Sequence, residues 1–416
     1  MTRARPDSEN STFDIAIVGA GAVGGSLAYA LGQYGFKVAL IEKTAANATQ
    51  QPAFDERHLG FSRSTKTVLQ GLGLWSAMSA QAIAIDRIHV SSQGRFGSVT
   101  MDAKDEALEA LGYVLPAREI GRVLHEAIAT QPNIHLFAPA GLTYVDADSN
   151  ADVAVIGFKQ NGKPVAINTA LLIGADGAAS QVREHFGIGV ARKEYGQSAV
   201  IANLDVAKLE PGLAYERFID GGVIALLPRD EHGYAVVCSL SDERAEEVMA
   251  ADDAYFADMI RESFNGRLPA INHVGRRSRF PLALVRANET VRQRLVLVGN
   301  AAHFIHPVAA QGFNLSMRDV AALVEVLVKA KNRKQDIGAL DVLSEYADWR
   351  KRDERIMVAF TDGLIRLFTS PLIPAAVLRQ KGLLALRYLP PVRRLFTRAV
   401  TGRMGRQAAL VRGAKL

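Results

Sequence analysis

Residues 14–42 read DIAIVGAGAVGGSLAYALGQYGFKVALIE. A buried-strand pattern runs into Gly19-x-Gly21-x-x-Gly24, an apolar helix follows, and a second strand closes on Glu42. No other stretch constrains the chain so tightly, because a complete βαβ unit commits it to a parallel sheet with helices packed on its faces. Gly19 permits the tight turn, Gly21 lets a pyrophosphate approach the backbone, and Gly24 lets helix and strand pack closely. The helix N-terminus then favours the phosphate charge. Glu42, about 20 residues further on, is placed to accept hydrogen bonds from an adenosine ribose. An acid there disfavours a 2′-phosphate, so the expected ligand is NAD or FAD rather than NADP.

A chain of 416 residues suits two domains, or one large α/β unit with an insertion. Its 49% hydrophobic and 22% charged residues are ordinary for a soluble globular protein. The single cysteine, Cys238, excludes an intrachain disulfide and a cysteine-held metal cluster, and its setting in YAVVCSL makes it a buried small hydrophobe. The net charge of +6 is uneven: residues 363–416 hold eleven Lys or Arg and no Asp or Glu, so the rest of the chain is net acidic. In that tail Arg393, Arg394, Arg398, Arg403 and Arg406 alternate with Leu395, Phe396, Val400 and Met404, as on a helix with one apolar and one cationic face. The pattern suits a solvated last helix or docking on anionic lipid or an acidic partner. Nucleic acid is not expected, since no recognition motif accompanies the charge. The polar start MTRARPDSENST is no signal peptide, and the glycines of the first motif argue against a membrane span there. The expected location is therefore the cytoplasm, with possible peripheral contact at the inner face of a membrane.

Two later stretches repeat the strand, small-residue turn and helix pattern. One is ALLIGADGAASQVREHFGI (170–188), with Asp176, Gly177 and Arg183; the other is RLVLVGNAAHFIHPVAAQGFNLSMRDVAALVEVL, with Gly299, Asn300, His303 and His306. Their order after a βαβ fingerprint resembles the single-component flavin-dependent aromatic hydroxylases built like p-hydroxybenzoate hydroxylase. HPVAAQGFNLSMRD is similar to the HPxAGQGxNLGxRD signature of the ubiquinone-biosynthesis branch. FDERHLGFS, IHVSSQGRFGSVTM, YERFIDGGVIALLP and FPLAL extend the likeness over nearly the whole chain. Ala310 departs from the signature's usual glycine, whereas the neutral Asn300, standing where an acid is expected, is shared with that branch.

The resemblance implies an α/β fold: a Rossmann-type FAD-binding domain with a mainly β substrate domain inserted and a helical C-terminal tail. It implies a discontinuous FAD-binding domain over 12–85, 115–190 and 275–335, a substrate domain over 86–114 and 191–274, and a C-terminal helical region over 336–416. Gly19, Gly21, Gly24 and Glu42 would hold the ADP half of FAD. Arg57, Arg118 (or its neighbour Arg122), Asp176, Gly177, Gly299, Asn300 and Asn314 would serve the rest of the cofactor. His306, Pro307 and Gly312 would shape the flavin-ring loop, with no dedicated acid or base assigned. Reduced flavin is an anion, and a helix starting near Gly312 would offer it unpaired amides and a positive dipole end. His303 and His306 lack the carboxylate set that a metal would need, so no metal is expected. The implied cycle uses NAD(P)H to reduce FAD and O2 to form a flavin C4a-hydroperoxide that oxygenates a polyprenyl methoxyphenol in ubiquinone biosynthesis. A sister hydroxylase, a flavoprotein reductase of lipid substrates and an assembly subunit of a biosynthetic complex remain as alternatives.

Overall fold

The computed structural model describes residues 11–45, 57–94, 97–146, 152–369, 373–403, 405–414 and 416. The segment FDERHLGFS thus enters description only from its Arg57, and Met404 lies outside the described residues.

The opening strand Ser11–Val18 pairs in parallel with Val38–Ile41 on one side and Lys163–Gly174 on the other. Ile134–Phe137 and Leu295–Leu297 continue the parallel sheet at its two sides. Ile15, Ile17, Val38 and Leu40 on one face and Ala16 and Ala39 on the other are fully buried, as strands covered on both faces require. One face packs on helices Ala22–Gln33, Ala117–Ala129 and Gln311–Asn332 through Leu27, Leu31, Leu124 and Leu323. The other packs under the antiparallel strands Ala140–Asp146 and Ala154–Gln160 through Ile156 and Phe158.

Among the described residues, a second sheet has nine strands. Its long member Val190–Val206 pairs antiparallel with Gly233–Ser241 and with Ser278–Ala287. Side chains alternate across its central strands. Val200, Ala202, Ile224, Val236 and Cys238 bury one face against helices Asp242–Ala250 and Asp253–Ser263, while Ala199, Ile201, Ala225, Leu227, Ala235 and Val237 turn to a central cavity. Cys238 is accordingly the buried small hydrophobe its sequence context suggested, with its thiol pushed up by burial. Strand Ser278–Ala287, on the nucleotide side of the boundary expected at 275, runs inside this second sheet because it pairs over most of its length with Val190–Val206. Helices Leu340–Thr369, Ile373–Tyr388 and Pro390–Val400 close the molecule over the cavity.

The final segment is no free basic arm. Thr401, Ala408, Leu410 and Val411 are buried, the amide of Ala409 donates to Glu325 at 2.7 Å, and Arg406 lies 3.9 Å over the Trp349 ring. No helix among the described residues is long and apolar enough to cross a membrane.

Candidate functional site

A cavity of about 750 Å³ runs from the first glycine motif, past the loop Pro307–Gly312, to an apolar chamber between the nine-stranded sheet and the C-terminal helices. At its nucleotide end each glycine has a separate reason. Gly19 has φ +101°, and a Cβ there would stand 2.6 Å from the Ala175 carbonyl oxygen. A Cβ on Gly24 would stand 1.9 Å from the Gly19 carbonyl oxygen, so strand and helix could not keep their distance. Around Gly21 nothing lies within 4 Å of such an atom, and that open side belongs to the cavity wall. Helix Ala22–Gln33 starts at Gly21 with no side chain capping it, leaving its first amides for an anion. Glu42 lines the wall beside them, fixed by the amides of Ala20 at 2.8 Å and Thr44 at 2.9 Å, with carboxylate lone pairs remaining for hydroxyl donors.

The two later turns meet beside this end. One Asp176 oxygen caps helix Gln181–His185 through the Val182 amide at 3.1 Å. Its other oxygen is buried without a partner, on a residue of the cavity wall next to Gly177. Arg183 ties the turns together, donating to the carbonyls of Ala178 at 2.7 Å and Ala301 at 2.9 Å. Asn300 lines the cavity with its side chain exposed. Gly299 instead supports the turn from behind: a Cβ there would come within 3.2 Å of Val23 and 3.3 Å of Ser316. Its amide donates to Asp319 at 3.3 Å, and Asp319 also accepts from His303 and from Arg350, both at 2.6 Å. Arg350 in turn pairs with Asp353. Burial alone would raise the Asp319 carboxyl, but His303 and Arg350 overturn that and hold it down at about 2. His303 is therefore one member of a buried ion-pair cluster that locks the turn to helix Leu340–Thr369.

The ring loop has unusual backbone. Ala309 and Ala310 both sit in the left-handed region, at φ 56° and 52°, and deliver the chain into helix Gln311–Asn332 without a side-chain cap. The uncapped amides of its first turn border the cavity at Gly312, where a Cβ would have only Ile305 near it, at 3.9 Å. Pro307 lines the same wall. His306 does not: it is 1% exposed behind the loop, accepts from the Val308 amide at 3.2 Å through Nδ1, and is pushed down to about 4 by burial.

Three expected cofactor contacts change role. Asn314 is on the cavity wall, but its oxygen accepts from Ser62 N and Thr65 Oγ1 at 2.8 and 2.7 Å, and its amide donates to the Gly60 and Ala310 carbonyls at 3.0 and 2.6 Å. With all four hydrogen-bonding sites occupied by protein, it fixes the helix start against strand His58–Ser62 and has none left for a ligand. Arg118 is exposed and off the cavity wall, because helix Ala117–Ala129 turns Ala117 and Ile120 inward and position 118 outward. Arg122 lies on that same outer face, paired with Glu119 and Glu126 at 3.0 and 2.9 Å. Arg57 does line the cavity, 5.4 Å from the Phe280 ring.

Two polar residues of the site escaped sequence reasoning. Gln311 is 1% exposed and donates to the Ala309 and Val400 carbonyls, joining the ring loop to the last helix. Glu216 stands on the chamber wall between Ala214 and Phe218, near the Ala309 amide at 3.5 Å. The available signal was an acid at the inward parity of an alternating strand, YERFI.

An uncapped helix start at Gly21, acceptors at Glu42, an unpartnered buried oxygen on Asp176 and a second uncapped helix start at Ala310 suit a pyrophosphate, hydroxyl-bearing sugars and an anionic ring within one cavity. The family model for the FAD binding domain matches residues 12–359. The chain is 33% identical to a ubiquinone hydroxylase, UbiL, of Rhodospirillum rubrum, over 95% of this chain and 91% of that one. It is 33% identical to the 3-demethoxyubiquinol 3-hydroxylase of Escherichia coli, over 90% of this chain and 95% of that one. Among solved structures, p-nitrophenol 4-monooxygenase PnpA from Pseudomonas putida superposes with a TM-score of 0.79 at 19% identity, covering 96% of this chain and all of that one.

Proposed function

The chain belongs to the FAD-binding family of flavin-dependent aromatic hydroxylases, and from that premise we propose that it hydroxylates the ring of a polyprenylated phenol, 2-polyprenyl-6-methoxyphenol, in ubiquinone biosynthesis. The observation that carries this reading is the continuity of the cavity from the dinucleotide motif into an apolar chamber lined by Val90, Met101, Leu364, Leu383, Leu386 and Phe396. A small hydroxylated acid would need cations there, whereas a prenyl tail needs only such a wall.

Bound FAD supplies the chemistry of electron transfer from NAD(P)H to O2 and of oxygen insertion. The protein's residues bind, orient and shield. Gly21 and the helix behind it receive the pyrophosphate, Glu42 the adenosine ribose, and Asp176 and Asn300 the ribitol side. The uncapped amides of the first turn of helix Gln311–Asn332, at the cavity wall by Gly312, would favour the negative charge of a reduced ring held there. The inward face of the nine-stranded sheet keeps water from the reacting centre.

The outer surface of the tail helices supports contact with a membrane. Leu378, Leu384, Tyr388, Leu389, Val392 and Leu395 are exposed there, at 39% to 66%, beside exposed Lys381, Arg387, Arg394 and Arg398. The inner side of the same helices forms the chamber wall. A lipid-borne phenol could thus pass from an anionic bilayer to the chamber along one element. Assembly with other proteins of the pathway would use the same exposed strip.

The test is to purify the protein, record its flavin spectrum, and analyse the lipids of a strain lacking it. A prenylated methoxyphenol missing one hydroxyl is expected to accumulate; a precursor blocked at another ring position would transfer the protein to that step.

A further inference from the structure

Glu216 is an acid on an otherwise apolar chamber wall. Strand pairing sets Val90 and Ala225 opposite it, and helix Leu340–Thr369 presents Leu364 to the chamber. Asp362 of that helix is turned away to Lys193, at 2.5 Å. The ring loop presents the Ala309 amide at 3.5 Å, a long contact that leaves most of the carboxylate's acceptor capacity open. His306 on the same loop is neutral and bonded to Val308. Among the described residues no cation pairs with Glu216. Burial pushes it up to about 7, with the Ala309 amide acting in the opposite direction. An unpaired carboxylate in an apolar wall opposes folding, and its natural complement is a ligand carrying an O–H or N–H donor.

We propose that Glu216 is a catalytic residue of this site, receiving the hydrogen bond of the substrate's phenol hydroxyl and accepting its proton so that the ring is oxygenated as a phenolate. The proposal rests on the phenol reading given above. In this step the O–H bond breaks, the proton moves to a Glu216 carboxylate oxygen, and the electron pair stays on the phenol oxygen. Electron density rises at the ortho and para carbons, and no oxidant or reductant takes part. The new hydroxyl compound regains a proton from Glu216 on leaving. Placing the acid against Ala309 puts the hydroxyl-bearing end of the ring beside the loop that meets the flavin, and leaves the prenyl tail toward Leu383 and Phe396.

The experiment uses the FAD-loaded full chain with two probes, a methoxyphenol bearing one prenyl unit and its O-methyl ether. Binding is followed by flavin fluorescence and turnover by product analysis across pH. The wild type is expected to bind the phenol at least about tenfold more tightly than the ether, and its kcat/KM is expected to rise through about pH 7. Glu216→Gln, which keeps an acceptor oxygen but cannot take the proton, should keep its flavin and part of the preference, flatten the pH profile and lower kcat by about 100-fold. Glu216→Leu, which has no acceptor, should lose the preference, and Glu216→Asp, which keeps a carboxylate, should restore part of the profile. The same pH profile and kcat in Glu216→Gln as in the wild type would overturn the proposal, as would a wild type that does not distinguish phenol from ether. A wild type that prefers the phenol but forms no hydroxylated product would instead overturn the proposed reaction and leave Glu216 as the phenol anchor.

Discussion

Ala310 stands where the family signature carries glycine, and the left-handed backbone explains the preference: a side chain there costs about 1–2 kcal/mol. Glycine would also have more freedom to lose on folding, about 0.4–1 kcal/mol, so Ala310→Gly is expected to hold or slightly raise the melting temperature of the flavin-loaded protein. Asp319 acts through charge. Its stabilisation is fully present above the unfolded carboxylate's pKa of about 4 and lost as pH falls toward about 2. Asp319→Asn strips His303 and Arg350 of their shared anion and should destabilise the protein by about 3 kcal/mol at pH 7, read by denaturant unfolding. Glu216 has the opposite sign. Its pKa is raised to about 7, so the folded state loses stability as pH rises from the unfolded value through neutrality. Glu216→Gln should therefore raise the melting temperature more at pH 8 than at pH 5. For Asn300, a side-chain acceptor on the cavity wall is the property that matters. Asn300→Asp should keep FAD and Asn300→Leu should lose much of it; equal flavin content in the two purified variants would remove the role.

Among the elements, those whose demands are local were legible in the sequence. The strand, turn and helix of 14–42 could be read residue by residue because Gly19 and Gly24 answer to atoms in the same unit or the neighbouring turn. Gly24→Val would drive a branched side chain into the Gly19 carbonyl, and purified protein without flavin is the expected result. Helix Ala117–Ala129 was less well read, although its own period was sufficient: with 117, 120, 124 and 128 buried, positions 118 and 122 must face outward. Asn314 lay beyond sequence reasoning, since its partners Gly60, Ser62 and Thr65 are about 250 residues away along the chain. The basic, amphipathic pattern was expected to form a helix reaching Arg406, but the helix ends at Val400; Arg393 within it turns to Asp105 and Glu106, and Arg406, beyond its end, lies on Trp349. The exposed apolar strip should matter more than those charges. Replacing Leu384, Leu389 and Leu395 together by Glu is expected to abolish sedimentation with vesicles of anionic phospholipid while flavin content stays unchanged. Sedimentation equal to that of the wild type would remove the membrane role.

At the scale of the whole molecule, the nucleotide end and the chamber are assembled from different parts of the chain. The fingerprint, the Asp-Gly turn, the Gly-Asn turn and the ring loop converge from residues 18–43, 175–181 and 298–316, and parallel strand order brings them to one edge of the sheet. That convergence was legible from motif order. The far wall was not, because Leu383, Leu386, Phe396 and Val400 belong to helices whose sequence signal concerns solvent and lipid and says nothing of what lies beneath them. One tie between the two parts is the buried amide of Gln311, holding the ring loop to Val400, and another is the Asp319–Arg350 pair, joining the Gly-Asn turn to helix Leu340–Thr369. During synthesis the ribosome releases the glycine motif first and this wall last. Every residue that lines the nucleotide end therefore precedes the chamber's far wall in the chain, and flavin bound to a chain stopped before residue 364 is expected to be open to solvent on that side.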